Sequence, residues 1–149
     1  MARATIEAER RMPYPPADLA ALVGDVRAYP SFIPWMQSLT VLSENSADGV
    51  RELVARAEVG WRAIRERFTS KVRATENAVD VGLVDGPFRH LENTWRFEPD
   101  GNGGSIIRFR VVYEFKSHFL QALVTANRST VSDRIMKAFE TEARRRFAR

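Results

Sequence analysis

The sequence predicts an α+β fold in which a curved antiparallel sheet wraps around one long C-terminal helix, a helix-grip arrangement with a single domain over residues 1–149. Apolar and polar residues alternate from residue 39 to residue 115, which is typical of strands with one covered face. Clusters of Gly, Asp, Asn and Pro divide this stretch into short runs. After Ser117 the apolar spacing changes to three and four residues, which is typical of a helix that covers a sheet.

The N-terminal segment predicts a strand followed by a helix. Residues 3–11 alternate in polarity, and the prolines of "PYPP" then predict a turn. Leu19, Leu22, Val23 and Val26 follow at helical spacing, so a short helix is expected there.

An aromatic segment, "YPSFIPWMQS" at residues 29–38, comes next. Its prolines at positions 30 and 34 fix φ and remove backbone donors, so we expect a stiff loop rather than the interior of a strand or helix. Such a loop either covers its own core or forms the rim of a binding site, and both interpretations stay open at this point.

Each predicted strand has an apolar face. The inward-facing sets are Leu53, Ala55, Ala57 and Val59; Ile64, Phe68 and Val72; Val79, Val81 and Leu83; Leu91, Trp95 and Phe97; and Ile107, Phe109, Val111, Tyr113 and Phe115. The alternate positions are mostly charged or polar, so one face of the sheet is expected to contact water.

The C-terminal segment predicts one uninterrupted helix, capped by Ser117 and free of glycine and proline. At 1.5 Å per residue such a helix would span roughly 45 Å, so it must cross the sheet obliquely. Its apolar stripe consists of Leu120, Leu123, Val124, Val131, Ile135, Phe139, Ala143 and Phe147.

Composition narrows the class of protein. The chain has no cysteine, which excludes disulfides and thiolate metal sites, and it has no apolar run long enough to cross a bilayer. We therefore expect a cytoplasmic protein, with peripheral contact at the cytoplasmic membrane face as a further expectation. The net charge is +4, and residues 118–149 hold seven Lys and Arg against three Asp and Glu. This excess either solvates the helix end or contacts anionic lipid or RNA.

Signatures of catalysis are scarce. His90 and His118 are the two histidines, and neither has carboxylates at metal-ligand spacing, so no metal site is expected. Glu66, Ser70 and Asn93 are polar but fall in phase with the covered face. Burying them without partners costs about 1–3 kcal/mol for a neutral group and more for a charge. Either they satisfy one another, or they face a ligand in a partly polar cavity.

Several segments resemble a known family. The chain is similar over nearly its full length to the coenzyme Q-binding, START-like family, which belongs with the polyketide cyclase and lipid transport proteins and includes a bacterial ribosome-association toxin. The segments that show the resemblance are "DVRAYPSFIPWMQS", "RERFTSKV", "VDGPFRHLENTWRF" and "MKAFETEA".

The resemblance implies a hydrophobic tunnel that holds a ubiquinone-like isoprenoid quinone without turning it over, and no catalytic cofactor. The expected tunnel mouth consists of Pro30, Phe32, Pro34, Trp35, Pro87 and Phe88. The expected lining consists of Phe68, Trp95, Phe97, Phe109, Leu123 and Ile135. Because the quinone carbonyls need donors, the expected head-group contacts are Glu66, Ser70, Asn93 and Tyr113.

Two other functions stay open. A protein resembling the ribosome-association toxin would bind the ribosome through the basic end of its C-terminal helix, where Arg144, Arg145 and Arg146 lie. A cyclase-type enzyme of the same superfamily would need an acid and base pair, and Glu66 is the one candidate acid. The oligomeric state is unknown at this stage.

Overall fold

A computed structural model describes residues 2–61 and 63–148. The strands are β1 (Ala4–Met12), β2 (Met36–Ala47), β3 (Val50–Trp61), β4 (Ile64–Ala74), β5 (Ala78–Asp85), β6 (Phe88–Pro99) and β7 (Ser105–Phe115). The helices are α1 (Pro16–Gly24), the four-residue α2 (Tyr29–Phe32), α3 (His118–Ala126) and α4 (Arg128–Phe147), with a 3-10 turn at Val26–Ala28.

The strands form one seven-stranded sheet in the order β1-β7-β6-β5-β4-β3-β2. Every pairing between neighbouring strands is antiparallel. The order follows the chain from β2 to β7, and β1 then pairs with β7. This meander, with helices on one face, confirms the predicted α+β helix-grip fold.

The inward face of the sheet is the predicted one. Leu53, Ala55 and Ala57 of β3 are buried, and they stand opposite Val72, Ser70 and Phe68 of β4. Trp95 of β6 stands opposite Phe109 of β7, and both are buried. Period-two alternation is a reliable guide here because shifting a strand by one residue would turn its whole apolar set outward.

Tight turns set the register of the hairpins. Asp48 and Gly49 connect β2 to β3 with φ values of 55° and 77°, which is the left-handed pair that suits a two-residue hairpin. Between β6 and β7, a carboxylate oxygen of Asp100 accepts hydrogen bonds from the backbone of Asn102 at 2.7 Å and of Gly104 at 3.0 Å. These bonds hold the pKa of Asp100 below its usual value.

The core lies between the sheet and the helices α1 and α4. Leu19 and Leu22 of α1 are buried, as are Met136, Phe139 and Ala143 of α4. Helix α1 and the middle of α4 fill the part of the concave face that they cover, and we call this part the filled half of the interior. Open volume can therefore exist only beyond these two helices.

The C-terminal segment is two helices, so the prediction of one uninterrupted helix is wrong. Ser117 caps α3 as expected, with its hydroxyl accepting from the amide of Leu120 at 3.2 Å. The break falls at Asn127, which has φ −118° and ψ 27°. Its side-chain amide donates to the carbonyl of Leu123 at 2.7 Å, and this competes with helix continuation.

The aromatic segment is more regular than its prolines suggested. Pro30 lies in the first turn of α2, where a missing N–H costs nothing, and β2 already begins at Met36. The prediction of a loop over residues 29–38 is therefore wrong at both ends, because helix α2 occupies the start of this segment and strand β2 occupies its end. Strand β3 continues through Gly60 to Trp61.

Candidate functional site

A cavity of about 270 Å³ lies between the sheet and the two C-terminal helices. Its floor comes from β3, β4, β6 and β7, and its roof comes from α3 and the first half of α4. It reaches the surface beside the exposed residues Trp61, Thr130 and Arg134. The lining residues are Trp35, Val59, Gly60, Trp61, Ile64, Glu66, Phe68, Pro87, Phe88, Phe115, Leu120, Leu123, Val124, Asn127, Thr130, Val131, Arg134 and Ile135.

Aromatic rings build one wall of the cavity. The ring of Phe88 stacks on that of Phe115 with centroids 4.5 Å apart, and it meets the ring of Phe68 edge-on at 5.8 Å. Gly86 makes this closeness possible. It has φ 149°, and a Cβ at this position would lie 2.6 Å from the Cβ of Phe68. A side chain at position 86 would therefore push the Pro87–Phe88 segment away from the wall.

The opposite wall is held by the end of the β3–β4 hairpin. The amide of Gly60 donates to the carbonyl of Trp35 at 2.9 Å, which ties β3 to the chain entering β2. A Cβ at Gly60 would lie 2.5 Å from the side-chain nitrogen of Gln37. Trp61, one residue further, lines the cavity while 38% of it remains exposed.

Four polar side chains interrupt the apolar lining. Asn127, Thr130 and Arg134 follow one another on one face at the start of α4, and Glu66 lies on β4. Glu66 is half-buried, and its carboxyl group forms no hydrogen bond or ion pair with any residue that the structure describes. The cavity is thus an apolar pocket with a few polar groups, which is the usual composition of a site for a small apolar molecule.

The residues predicted for the tunnel mouth lie in two places. Trp35, Pro87 and Phe88 line the cavity. Pro30, Phe32 and Pro34 do not. The ring of Phe32 instead packs edge-on against Phe139 of α4 at 5.3 Å.

The aromatic segment therefore mainly covers its own core. The ring of Tyr29 lies 5.4 Å from that of Phe139, and its hydroxyl donates to the carbonyl of Val23. Burial and the nearby carboxylate of Asp25 raise the pKa of Tyr29 well above its usual value. Trp35 is the part of this segment that reaches the cavity.

The predicted lining residues divide in the same way. Phe68, Leu123 and Ile135 line the cavity. Trp95, Phe97 and Phe109 are buried in the filled half of the interior, where the rings of Trp95 and Phe109 meet at 4.7 Å. The ring of Trp95 also contacts that of Phe139 at 4.9 Å. Phe139 of α4 thus occupies the volume beside Trp95.

Of the four predicted head-group contacts, Glu66 lines the cavity. Asn93 accepts from the indole nitrogen of Trp95 at 2.9 Å and donates to the carbonyl of Arg110 at 3.0 Å. Tyr113 shares a hydrogen bond with Thr125 of α3 at 2.9 Å. Ser70 is buried on β4 beyond the cavity lining. Asn93 and Tyr113 thus form hydrogen bonds within the protein itself.

Sequence reasoning missed Trp61, Thr130 and Arg134 as cavity residues. A signal for the last two exists, because each precedes an apolar residue of the stripe, Val131 and Ile135, by one position. A residue beside an apolar stripe lies at its edge, where a cavity opens to water. Trp61 had no such signal, since its position depends on how far the β3–β4 hairpin extends.

The basic end of the C-terminal helix is partly neutralised. The buried carboxylate of Glu142 accepts from Arg145 at 2.6 Å and from Arg146 at 2.8 Å. These bonds, that of Arg145 above all, lower the pKa of Glu142 to about 2. Arg146 also contacts Asp25 of the segment after α1 at 3.2 Å. Arg144 is exposed on the same turn.

Charges on the outer face of the sheet are paired across strands. Arg110 contacts Glu7 at 3.3 Å, and Arg96 contacts Asp80 at 2.8 Å. Arg108 contacts both Glu9 and Glu98. In this part of the sheet, formed by β1, β7, β6 and β5, cations therefore lie beside anions of the neighbouring strands.

Neither metal binding nor membrane spanning is indicated for the described part of the chain. No group of three or more His, Asp or Glu side chains there could hold a metal ion. None of its helices is long and apolar enough to cross a membrane.

The fold and the cavity define a helix-grip protein of the START-like class. The chain belongs to the polyketide cyclase / dehydrase and lipid transport family, whose pattern matches residues 12–140. Solved structures with this fold include a START superfamily protein from Mycobacterium smegmatis, with a TM-score of 0.78 over 93% of this chain and 95% of the other, at 17% identity. The resemblance inferred from the sequence is confirmed at this level.

More similar proteins extend the comparison. The ribosome association toxin RatA of Rickettsia prowazekii is 30% identical over 89% of this chain and 91% of its own length. The mitochondrial coenzyme Q-binding protein COQ10 homolog B of Xenopus laevis is 34% identical over 86% of this chain, which corresponds to 53% of that protein. An 18 kDa protein of Caulobacter crescentus is 34% identical, with a TM-score of 0.79 and coverage of 97% of both chains.

Proposed function

We propose that this protein binds a lipid-like molecule of the isoprenoid quinone class without chemically changing it. The observation that supports this most directly is the cavity between β3, β4, α3 and α4, with its aromatic wall of Phe68, Phe88 and Phe115. The 34% identity of the protein to a coenzyme Q-binding protein, over 86% of this chain, supports the choice of ligand class.

The size of the cavity limits how the ligand is held. Small-molecule sites usually enclose about 300–1,000 Å³. A cavity of about 270 Å³ would have room for the ring of a quinone and only the first part of its tail. A long isoprenoid tail must therefore leave the cavity at its open side, beside Trp61 and Arg134. The bound molecule would be only partly enclosed.

The apolar walls alone give little selectivity. Burying a methylene group from water gains about 0.8 kcal/mol, but a quinone starts from a bilayer that is already apolar. Moving its tail into the cavity is then nearly neutral. The polar groups of the cavity, Glu66, Thr130 and Arg134, must decide which head group is held.

Loading from a membrane needs a surface that contacts the bilayer. Trp61 at the cavity opening is 38% exposed, and Phe119 in the first turn of α3 is 67% exposed. Phe119 is adjacent in sequence to Leu120, which lines the cavity. Aromatic side chains at such positions insert readily at the level of lipid head groups. We propose that these two residues, rather than residues 29–38, meet the membrane.

The test of this function is the content of the cavity. Protein purified from its own host is extracted with organic solvent and the extract is analysed by mass spectrometry. A quinone at near-stoichiometric amount is expected. The variant Val131→Trp, which fills the cavity, should lose it, while Leu42→Trp, at an exposed position of β2, should keep it. Equal quinone content in both folded variants, or none in the unsubstituted protein, would contradict the proposal.

Ribosome binding is a second candidate function. Its support is the 30% identity to a ribosome association toxin over nearly the whole of both chains. The exposed cations at the helix end are Arg144 and Arg145, of which Arg145 also pairs with Glu142, whereas Arg146 is half-buried and pairs with both Glu142 and Asp25. Co-sedimentation with ribosomes at several salt concentrations tests this, because the salt dependence of binding increases with the number of phosphates that the protein neutralises.

The control for that experiment is a cation in the middle of the same helix. Arg144→Gln with Arg145→Gln should weaken sedimentation and flatten its salt dependence, whereas Lys137→Gln, in the middle of α4, should change it little. Salt-independent sedimentation, or equal loss with both variants, would exclude recognition through the helix end.

Cyclase-type catalysis has less support in this cavity. Glu66 is the one acidic residue among the described lining residues, and neither His90 nor His118 is among them. An acid and base pair, which proton transfer in such a reaction needs, is not formed by the lining. We therefore propose binding rather than turnover.

A further inference from the structure

Glu66 is the most unusual group in the cavity. It lies on β4 opposite Val59 and between two inward-facing apolar residues of its own strand, Ile64 and Phe68. The residue is half-buried, and its carboxyl group has no hydrogen-bond or ion-pair partner among the described residues. Burying part of a carboxylate in this way costs free energy that a partner would recover.

The chemistry of a carboxylate defines that partner. In its ordinary ionised form a glutamate side chain accepts hydrogen bonds and donates none. It is therefore complementary to a hydroxyl group, and it repels the lone pairs of a carbonyl oxygen. Asn127 is not the missing donor in the structure, since the hydrogen bond that its side-chain amide donates goes to the carbonyl of Leu123 at 2.7 Å and none goes to Glu66.

The other polar groups of the cavity have the opposite character. Arg134 is a donor only, and the hydroxyl of Thr130 donates or accepts as needed. Both line the cavity from α4, across from the strand that carries Glu66. A ligand with one hydroxyl and one further oxygen can satisfy the two sides together, with the hydroxyl donating to Glu66 and the second oxygen accepting from Arg134 or Thr130.

From this arrangement we propose that Glu66 makes the cavity selective for ligands with a hydroxyl at the polar end, so that a quinol binds more tightly than the corresponding quinone. This inference rests on the proposed function and adds the form of the ligand. The hydroxyl of the quinol donates a hydrogen bond to the charged carboxylate, whereas the carbonyl of the quinone is repelled by it. We therefore expect the quinol to bind about tenfold more tightly than the quinone, or better.

The primary test compares two oxidation states of one ligand. The full chain, stripped of lipid, is titrated without oxygen with decylubiquinol and with decylubiquinone, and binding is followed by the fluorescence of Trp35 and Trp61, which line the cavity. The unsubstituted protein should bind the quinol about tenfold more tightly. In Glu66→Gln, whose amide can also donate to a carbonyl, the two affinities should become nearly equal through tighter quinone binding.

A second ligand pair separates the hydroxyl preference from the quinone class. The compounds 4-nonylphenol and its methyl ether share a tail and differ in one donor. The phenol should bind more tightly to the unsubstituted protein and lose that advantage in Glu66→Leu. The matched control is Glu92→Gln, which changes an exposed carboxylate of β6 outside the cavity lining and should keep both preferences.

The outcomes test the role of Glu66 and the quinone ligand class separately. Equal binding of phenol and ether, and of quinol and quinone, would overturn the role of Glu66 while leaving an apolar binding site. A phenol preference without binding of either quinone form would support the role of Glu66 and contradict the quinone class. Failure of all four compounds to bind would overturn both. Circular dichroism and thermal unfolding of each variant verify that it is folded.

Discussion

The hydroxyl groups of Tyr113 and Thr125 lie 2.9 Å apart and share a hydrogen bond. Tyr113 is on β7 and is 3% exposed, and Thr125 is in the last turns of α3. This bond holds the short helix that roofs the cavity against the sheet. Tyr113, which the sequence suggested as a ligand contact, thus forms a hydrogen bond with helix α3 of the protein itself.

Removing that bond should lower stability without abolishing ligand binding. Tyr113→Phe deletes the phenol hydroxyl and leaves the ring contact with Phe115, so we expect a loss of about 1 kcal/mol in the free energy of unfolding. Chemical denaturation measures this loss. Adding Thr125→Val should cost little more, since both single changes remove the same bond. A large loss of ligand affinity in Tyr113→Phe would instead indicate direct contact with the ligand.

The pKa of Glu142 predicts how stability depends on pH. Because Arg145 and Arg146 hold that pKa at about 2, below its usual value near 4.5, the folded state is favoured while Glu142 is ionised. This contribution is fully present above about pH 4.5 and is lost as the pH falls toward 2. Glu142→Gln should therefore cost about 1–3 kcal/mol at pH 7, and much less near pH 2.

Denaturation midpoints of the two proteins across this pH range test that prediction. Glu140→Gln is the control, because it removes a carboxylate from the same helix without breaking an ion pair of the described residues. A cost for Glu142→Gln that stays constant from pH 7 to pH 2 would show that packing, and not charge, explains it.

Gly86 should tolerate substitution poorly. In Gly86→Ala the new Cβ would lie 2.6 Å from that of Phe68, at a φ of 149° that side chains rarely adopt. We expect a loss of roughly 1–3 kcal/mol in stability, together with weaker ligand retention as Pro87 and Phe88 shift. Gly82→Ala is the matched control, because a Cβ there meets nothing within 4 Å. Equal stability of the two variants would contradict the close approach.

If the cavity opening contacts the membrane, removing its exposed aromatic side chains should weaken vesicle binding. Trp61→Ala with Phe119→Ala should reduce co-sedimentation with vesicles that contain anionic lipid by several-fold, because two exposed aromatic anchors are removed. Leu42→Ala, which removes an exposed apolar side chain from β2, should leave it unchanged. If changes in the aromatic segment, such as Pro34→Ala, reduce sedimentation more, then the membrane meets that segment instead.

Much of the sheet was predictable because its information is local. Period-two alternation identifies which of Leu53, Ala55 and Ala57 point inward, and turn residues such as Asp48 and Gly49 mark where strands reverse. Asn127 shows the limit of such reasoning. An asparagine is tolerated inside many helices, and only its bond to the carbonyl of Leu123 shows that it ends one here.

The cavity was predictable in part. Trp35, Phe68 and Leu123 were expected to line it and do, whereas Trp95 and Phe109 have the same apolar character but lie in the filled half. Nothing in their local sequence distinguishes the two groups. The difference depends on Phe139, which reaches Trp95 from a helix more than forty residues further along the chain.

By itself, the sequence determined most of the strands, their inward faces and the presence of polar groups in phase with an apolar surface, because periodicity and turn chemistry act over a few residues. The family followed from the resemblance of whole segments to known proteins. Only the tertiary structure decided where α4 fills the concave sheet and where it leaves space, and hence that Glu66 faces the cavity while Asn93 and Tyr113 bind the protein itself. Empty volume depends on how distant side chains fit together, and no local pattern encodes that fit.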